Sequence, residues 1–442
     1  MPSISLLAAG SNARGQLATG DTEDAHQFRP CIFIGNSAGV LPNRIAAVEQ
    51  IACGSNHTLA LLRTDDGKTE LWGCGDGSKG QLGPSYGAHT HKASDDARAV
   101  FRPLDLPSEL AGVGPLDGFT VRLIAVGWET SYVALSHPDR GDVLFSMGAN
   151  DFGNLGVGAH TSPRSNPSVH AVDLSNLRPS DEARPGAILK ILSLSAGPHH
   201  TVVRVSFAFP DGSSRTFLAG WGTSRHGQLG PILNEANRPN PSTSSPHPIP
   251  ADDPDDIMAI SLGNQHTVCL RSSGHLYALG STRKEQLSGI EALAGVKQID
   301  CTWNGTYALL DSGEVVATGS NTHCQLGRGA GTHERHGGLA PVQFPFALCP
   351  GQVSHLICGS EHVLCIIDRS DTSESDAHIT REVWGWGWNE HGNLGTGGTD
   401  DVGVPVKIWP PPPSVVPAGE SAGDIVHAWA GCGTSFLFVH RH

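Results

Sequence analysis

An apolar run that ends on glycine, followed shortly by a Gly-(Gln/Asn)-Leu-Gly turn, is written seven times along this chain. The fullest copy is Val383-Trp384-Gly385-Trp386-Gly387 with Gly392-Asn393-Leu394-Gly395. Others are Leu7 to Gly10 with Gly15-Gln16-Leu17, Trp72 to Gly75 with Gly80 to Gly83, Phe145 to Gly148 with Gly153 to Gly156, and Ala219 to Gly222 with Gly227 to Gly230. Tyr277 to Gly280 with Gln286-Leu287 and Val316 to Gly319 with Gln325-Leu326-Gly327 are weaker copies. A unit repeated in this way cannot bury its apolar face alone, so the repetition decides the fold before any single residue does.

Each copy is followed by a second phrase: an apolar strand, usually a glycine, two variable residues, then His or Thr opening another apolar strand. It runs from Val48 to Gly54 with His57 to Leu61, and again at Ile191 to Gly197 with His200 to Val203 and Ile425 to Gly431 with Thr434 to Val439. Between the phrases, six repeats place an extended piece marked by Pro30, Pro103, Pro167, Pro248, Pro341 or Pro405. Proline lacks an amide donor and belongs on a sheet edge. Each repeat therefore offers four strands: a, ending on the first glycine; b, with the proline; c, ending on the second glycine; and d, opening with His or Thr. Gly 55 and Pro 30 against only 16% charged residues suit turns and short strands rather than amphipathic helices. The expectation is an all-β chain, a seven-bladed β-propeller of four-stranded antiparallel blades, since radial repetition leaves only short protected edges. One propeller is expected over residues 1–442, with loop inserts near 84–102, 105–120, 231–245, 368–380 and 410–423. The fifth repeat lacks the proline piece and predicts a blade with a minimal outer strand.

The turn chemistry fits this fold. The strand-a glycine permits positive φ, the Gln or Asn amide satisfies backbone groups in the turn, and the leucine fills the gap between blades. His57, His200, His266 and His362 open strand d where other repeats have Thr130, Gly305 and Thr434, which points to structural hydrogen bonds rather than to a ligand set. Cys53, Cys301 and Cys358 share a position with Val126, Ala196, Leu262 and Ala430, the signature of a packing thiol.

Net charge is −14, and no Lys or Arg run tracks a phosphate backbone, so direct nucleic-acid binding is not expected. No apolar run reaches membrane-spanning length, and no membrane association is expected. The opening Met1-Pro2-Ser3-Ile4-Ser5 has no signal-peptide pattern, which gives an intracellular expectation. The pairs His199-His200, His89-x-His91 and His440-x-His442 have no converging partners. Nucleophile-elbow, phosphate-loop and zinc-protease motifs are lacking. Neither an enzyme, a cofactor nor a metal site is expected.

In an antiparallel a-b-c-d meander the a–b and c–d turns open on one face. On that face Trp388 stands where other repeats have Ser11, Asp76, Ala149, Thr223, Ser281 and Ser320. Trp128 and Trp303 replace Ser55, Pro198, Asn264, Ser360 and Cys432. Exposed tryptophans are typical interface anchors, so Trp388, Trp128 and Trp303 are the candidate partner-binding residues, with Glu390 and His391 as polar neighbours.

The paired phrases Gly-Ser-Asn-x-x-Gly-Gln-Leu and Cys-Gly-Ser-x-His-Thr-x-Ala-Leu resemble those of the regulator of chromosome condensation repeat family. Its members are seven-bladed propellers with differing tasks. Within it, the early first repeat and the Gly-Trp-Gly-Trp-Asn-Glu-His-Gly-Asn order are most similar to the fungal alpha-tubulin suppressor, or killer-toxin-insensitivity, propellers. That resemblance implies a non-catalytic adaptor for a small zinc-binding protein of the diphthamide pathway. The pair would support diphthamide synthesis and, through Elongator, modification of wobble uridines in transfer RNA, in the cytoplasm and nucleus. Two further family tasks are exchange on a Ran-type small GTPase and ultraviolet sensing. The opening of the chain directly at strand a, without a basic tail, disfavours the chromatin-bound exchange factor. The tryptophan-rich Gly-Trp-Arg-His-Thr phrases of the photoreceptor are approached only by Gly127-Trp128-Glu129-Thr130.

Overall fold

The computed structural model describes residues 3–90, 98–110, 112–158, 169–178, 186–329, 335–370, 379–414 and 422–441. The four strands of a blade lie in the order c-d-a-b, so each blade joins the second phrase of one repeat to the first phrase of the next. Blade 2, for example, pairs Ile45–Cys53, His57–Thr64, Thr69–Gly75 and Arg102–Pro103 in sequence order. Blade 3 is Thr120–Val126, Thr130–His137, Gly141–Gly148 and His170–Ala171; blade 4 is Ile188–Ala196, His200–Ala208, Ser214–Thr223 and Ser242–Pro248. Blade 6 is Val296–Thr302, Gly305–Leu310, Val315–Ser320 and His336–Pro341; blade 7 is Val353–Cys358, His362–Ser370, Ile379–Gly387 and Val402–Trp409. Blade 5 has three strands, Ile257–Leu262, His266–Arg271 and Leu276–Gly280, as the missing proline piece predicts.

Blade 1 closes the ring. Its inner strands Asp424–Ala430 and Thr434–Arg441 come from the end of the sequence, while Ser3–Gly10 and Ala25–Pro30 come from its start. Ser3–Gly10 pairs with Thr434–Arg441 through eight successive positions, from Ser3↔Arg441 to Gly10↔Thr434. The seven c strands touch their neighbours in an unbroken circle that includes the contact between Asp424–Ala430 and Ile45–Cys53. The result is a seven-bladed propeller of four-stranded antiparallel blades, with blade 5 one strand short.

Repeat chemistry explains the close spacing of the blades. The strand-a glycines Gly10, Gly148, Gly280 and Gly319 have φ of 112°, 114°, 118° and 128°, a region that disfavours any side chain. At the inner strand ends, a Cβ on Gly54 or Gly197 would stand only 2.7 or 2.6 Å from the carbonyl oxygen of Gly127 or Gly263 in the next blade. The turn glutamines work as the sequence predicts: Gln16, Gln81, Gln228 and Gln325 each accept, at 2.7–3.0 Å, the amide of the residue two positions earlier. The turn leucines Leu17, Leu82, Leu229 and Leu394 are wholly buried between blades. Trp221 and Trp386 are also fully buried and donate Nε1–H across the blade boundary to the carbonyls of Asn154 (2.7 Å) and Gln325 (2.8 Å).

The four strand-d histidines form a second interblade latch. Nε2 of His57, His200, His266 and His362 lies 2.9–3.2 Å from the hydroxyl of Ser131, Thr267, Thr306 or Ser435 in the next blade. The hydroxyls of Thr267 and Thr306 spend their protons on the carbonyls of Gln228 and Gln286, so His200 and His266 must donate from Nε2. That leaves Nδ1 of each as a bare lone pair, and it is without a partner in all four histidines. A second proton would be buried unpaired. Burial accordingly lowers these groups to about 4, 3, 4 and 4 in chain order.

The inserts differ from the expectation of plain loops. Residues 84–102 begin inside a short helix, Gly83–Thr90, pinned by the buried Tyr86, whose hydroxyl donates to the Gly75 carbonyl (3.0 Å). Residues 105–120 contain a small hairpin, Glu109–Leu110 with Gly114–Pro115. The insert near 231–245 runs into the outer strand Ser242–Pro248, and that near 368–380 lengthens a hairpin, with Asp368↔Arg381 and Ser370↔Ile379 in register. Local pairing overrides composition in the last two, which flank a strand whose ladder they extend, whereas the burial of Tyr86 holds the helix. Pro167, residues 91–97, 371–378 and 415–421, and one member each of the pairs His89-x-His91 and His440-x-His442 lie outside the described residues.

Candidate partner-docking face

The first residue of the c–d turn follows the inner-strand glycine, and its backbone meets the same residue of the next blade. The amide of Ser55 donates to the Trp128 carbonyl (2.9 Å), Trp128 to Pro198 (2.9 Å), Asn264 to Trp303 (2.8 Å) and Trp303 to Ser360 (2.8 Å). Ser360 continues to Gly431 (2.9 Å). The collar breaks at Pro198, which has no amide to give, and among the described residues no backbone bond joins Cys432 of blade 1 to Ser55 of blade 2. The collar rings the mouth of a central channel of about 130 Å³. The predicted packing position, Cys53, Val126, Ala196, Leu262, Cys301, Cys358 and Ala430, lines that channel. Burial raises the Cys53 and Cys301 thiols to about 11 and 12, so both are neutral at physiological pH and poor nucleophiles.

Two of the predicted anchors meet over this mouth. Trp128 and Trp303 belong to blades three apart, yet their rings stand 5.6 Å apart, tilted by 52° across the axis. Trp128 is 36% exposed. The row extends outward through His199, 6.3 Å from Trp128 and 4.9 Å from Phe152, which is 42% exposed. Fixed backbones under exposed aromatic rings give contact area at small entropic cost, the property expected of an anchor.

The third anchor and its polar neighbours form a second cluster at the junction of blades 6, 7 and 1. The Trp388 ring is half-buried against His391 (5.3 Å) and His323 (6.1 Å), and its Nε1–H donates to Glu390 (3.3 Å). Its amide donates to the Glu361 carbonyl (3.0 Å). The Glu361 carboxylate accepts from Asn304 (2.6 Å) and Gln325 (2.7 Å), so the cluster joins the Trp303 turn. Burial pushes that carboxyl up. Two His–Asp pairs flank the tryptophan: His391 Nδ1 lies 2.7 Å from Asp24 and His323 Nδ1 lies 3.1 Å from Asp401. Each aspartate also caps the next blade, accepting the amide of Asn12 (2.8 Å) or Asn389 (3.0 Å).

The structure thus places all five predicted residues on one face, in two groups connected through Glu361. Phe152, His199, His323, Asp24 and Glu361 were not predicted. One signal for them was in the sequence. Phe152, His323 and His391 occupy the same turn position as Arg14, Lys79, His226 and Lys284, where Phe152 is the apolar exception. Among the described residues no group of three or more His, Cys, Asp or Glu could hold a metal ion, and no helix is long and apolar enough to cross a membrane.

Two family profiles, both described as the regulator of chromosome condensation (RCC1) repeat, match residues 5–61 and 382–438, and 48–81 and 296–325. A bovine secretion-regulating guanine nucleotide exchange factor is 27% identical, covering 91% of this chain and 78% of the relative. An RCC1 repeat-containing protein of Schizosaccharomyces pombe is 25% identical over 90% of this chain and 91% of its own length. The ultraviolet-B receptor UVR8 of Arabidopsis thaliana is 26% identical over 92% of this chain and 79% of its own. Among solved structures, human WBSCR16 superposes with a TM-score of 0.65 at 20% identity, covering 99% of both chains. Prp20p of Saccharomyces cerevisiae superposes at 0.67 and 15% identity, over 100% of this chain and 92% of that one; at such identities the likeness is one of fold. Seven blades, paired repeat phrases and the matching repeat profiles converge: the chain carries RCC1 repeats and has the fold of the RCC1-like propellers.

Proposed function

We propose that this propeller is a non-catalytic adaptor that holds a protein partner on the face carrying Trp128, Trp303 and Trp388. The observation that carries the reading is the Trp128–Trp303 pair at the channel mouth on a hydrogen-bonded collar, with Trp128 exposed and Trp303 partly so. Its partner would be a small zinc-binding protein of the diphthamide pathway, held so that the propeller positions the metal centre and limits access to it. Glu390 and His391 would supply the polar rim. On this reading the complex supports diphthamide synthesis and Elongator-dependent modification of transfer RNA, in the cytoplasm and nucleus. Co-purification from the native cell with mass identification of a small zinc protein tests the partner's identity. Replacing both Trp128 and Trp303 by Ala is expected to weaken that complex by about 2 kcal/mol or more, roughly thirtyfold in dissociation constant. An unchanged constant, measured by calorimetry on a folded variant, would move the interface elsewhere.

The likeness to a secretion-regulating guanine nucleotide exchange factor favours a second reading, exchange on a small GTPase. A nucleotide-release assay with Ran separates the two. The adaptor predicts no acceleration, whereas release accelerated at catalytic concentrations selects the exchange factor.

A further inference from the structure

Blade 5 lacks its fourth strand, and the consequence falls on the third. Every residue of Leu276–Gly280 is partly exposed, while the equivalent Val315–Ser320 of blade 6 is buried throughout. In blade 6 the outer strand sets Ala340 opposite Ala317 and Pro341 opposite Val316, and the amide of Val342 donates to the Val315 carbonyl (2.9 Å). The same register recurs in blades 2 and 4: Pro103 and Pro248 face Trp72 and Ala219, and the amides of Leu104 and Ile249 donate to the carbonyls of Leu71 and Leu218. Counted back from the strand-a glycine, Leu218 and Val315 correspond to Leu276, and Ala317 to Ala278. Among the described residues no hydrogen bond reaches these outward backbone groups of Leu276 and Ala278. The connection that follows passes beside this edge and buries Ile290 among Val268, Val296 and Val316, but it does not pair with the strand.

A cleft of about 470 Å³ opens at the Gly280 end of this edge, between the turns of blades 4 and 5. Its lining includes Arg225, His226 and Arg283 and no acidic residue. Arg225 and Arg283 are exposed, and neither makes an ion pair among the described residues. His226 is held below its usual range by burial first and then by Arg283 and Arg225. Leu233, 52% exposed, adds an apolar wall. In blade 4 the outer strand enters at this end, Ser242 facing Thr223 and Thr243 facing Gly222, five or six positions before its proline. A guest strand of the same direction would bring its first residues into the cationic cleft.

We propose that the edge Leu276–Gly280 takes an extended acidic segment of a partner protein as the missing fourth strand of blade 5. The segment would carry a proline opposite Tyr277, since that position needs no amide, then an apolar residue donating its amide to Leu276, with carboxylates upstream against Arg225 and Arg283. Backbone pairing supplies affinity in this mode of recognition, and side-chain pockets supply specificity. The strand edge lies on the outside of blade 5, while the cleft at its end is lined by the a–b turns of blades 4 and 5 and opens on the same face as the tryptophans, away from Trp128, Trp303 and Trp388 themselves.

The probe is a synthetic peptide of Asp-Asp-Glu joined to the sequence of residues 242–249, which is the native outer strand of blade 4. Fluorescence anisotropy with the full chain should show saturable binding, and hydrogen exchange should show protection gained at Ala278 and Gly280. N-methylating the final isoleucine amide of the peptide should weaken binding at least tenfold, and so should the exposed pair Arg225→Glu and Arg283→Glu, with circular dichroism unchanged. Absence of binding, indifference to N-methylation, or protection confined to other blades would overturn the assignment. Protection of the same amides on raising the concentration of the chain alone would make a second copy the occupant, and would overturn it equally.

Discussion

Taken from pH 7 towards pH 4 at constant ionic strength, the propeller is expected to lose most of its stability, with the steepest loss below pH 6.5. The cause is the neutral His57, His200, His266 and His362, held at about 4, 3, 4 and 4 by burial when folded. In the unfolded chain these side chains titrate near 6.5. Between those values the unfolded state binds more protons, so stability falls as pH falls, and above about 6.5 the histidines contribute no slope. Each costs about 1.4 kcal/mol per pH unit within its window, so the four together reach the order of 10 kcal/mol, comparable with the whole stability of a domain. Glu361 and Asp300 act in the opposite sense. Burial raises their carboxyls, so the folded state takes up protons more readily there, and they offset part of the loss. Urea unfolding across a pH series measures the slope directly. Replacing His200 by Gln, which keeps a donor towards Thr267 but cannot titrate, should flatten it by about 1.4 kcal/mol per unit between pH 6 and 4. An unaltered slope would mean that His200 takes up its proton in the folded propeller as it does in the unfolded chain.

The second large effect concerns Trp386, wholly buried in blade 7. Its ring packs edge-on against Phe344 (5.7 Å, 79°), and its indole nitrogen donates to the Gln325 carbonyl in the turn of blade 6. Truncation to Ala removes the packing, opens a cavity between two blades and leaves the Gln325 carbonyl with the Tyr307 hydroxyl (2.7 Å) as its remaining donor. A loss of about 4 kcal/mol is expected. Trp386→Phe keeps most of the volume and should cost about 1–2 kcal/mol, the part belonging to the hydrogen bond. Urea midpoints of the three proteins check the ranking, and equal midpoints for Ala and Phe would show that packing contributes little at this boundary. Trp221 repeats the arrangement in blade 4, donating to Asn154 with Tyr132 at 5.8 Å, so its variants should follow the same order.

Much of this was legible in the residues, because a repeat writes each local requirement several times. The glycine of strand a, the glutamine that accepts a turn amide and the leucine between blades were each readable from their recurrence, and so was the missing outer strand of blade 5. What could not be read is whatever depends on closure. Trp128 and Trp303 lie far apart in sequence and meet only because the disc brings blades 3 and 6 across one axis. The pairing of Asp24 with His391 likewise exists only where the last blades meet the first. The backbone collar leaves no trace in residue type apart from Pro198, one of the two places where it is interrupted. The helix Gly83–Thr90 was missed because its glycine-containing sequence has little helical character, and the burial of Tyr86 fixes it instead.

The pairing of Ser3–Gly10 with Thr434–Arg441 carries a consequence for how the molecule is made. On a ribosome adding roughly 5–20 residues per second, the first strand emerges tens of seconds before the strand it must join. Throughout that interval its amides and those of Ala25–Pro30 stand available to any passing β-edge. A nascent chain of this design therefore depends on being shielded until Thr434–Arg441 has emerged, and a chain cut short by one blade should yield aggregate rather than a six-bladed product.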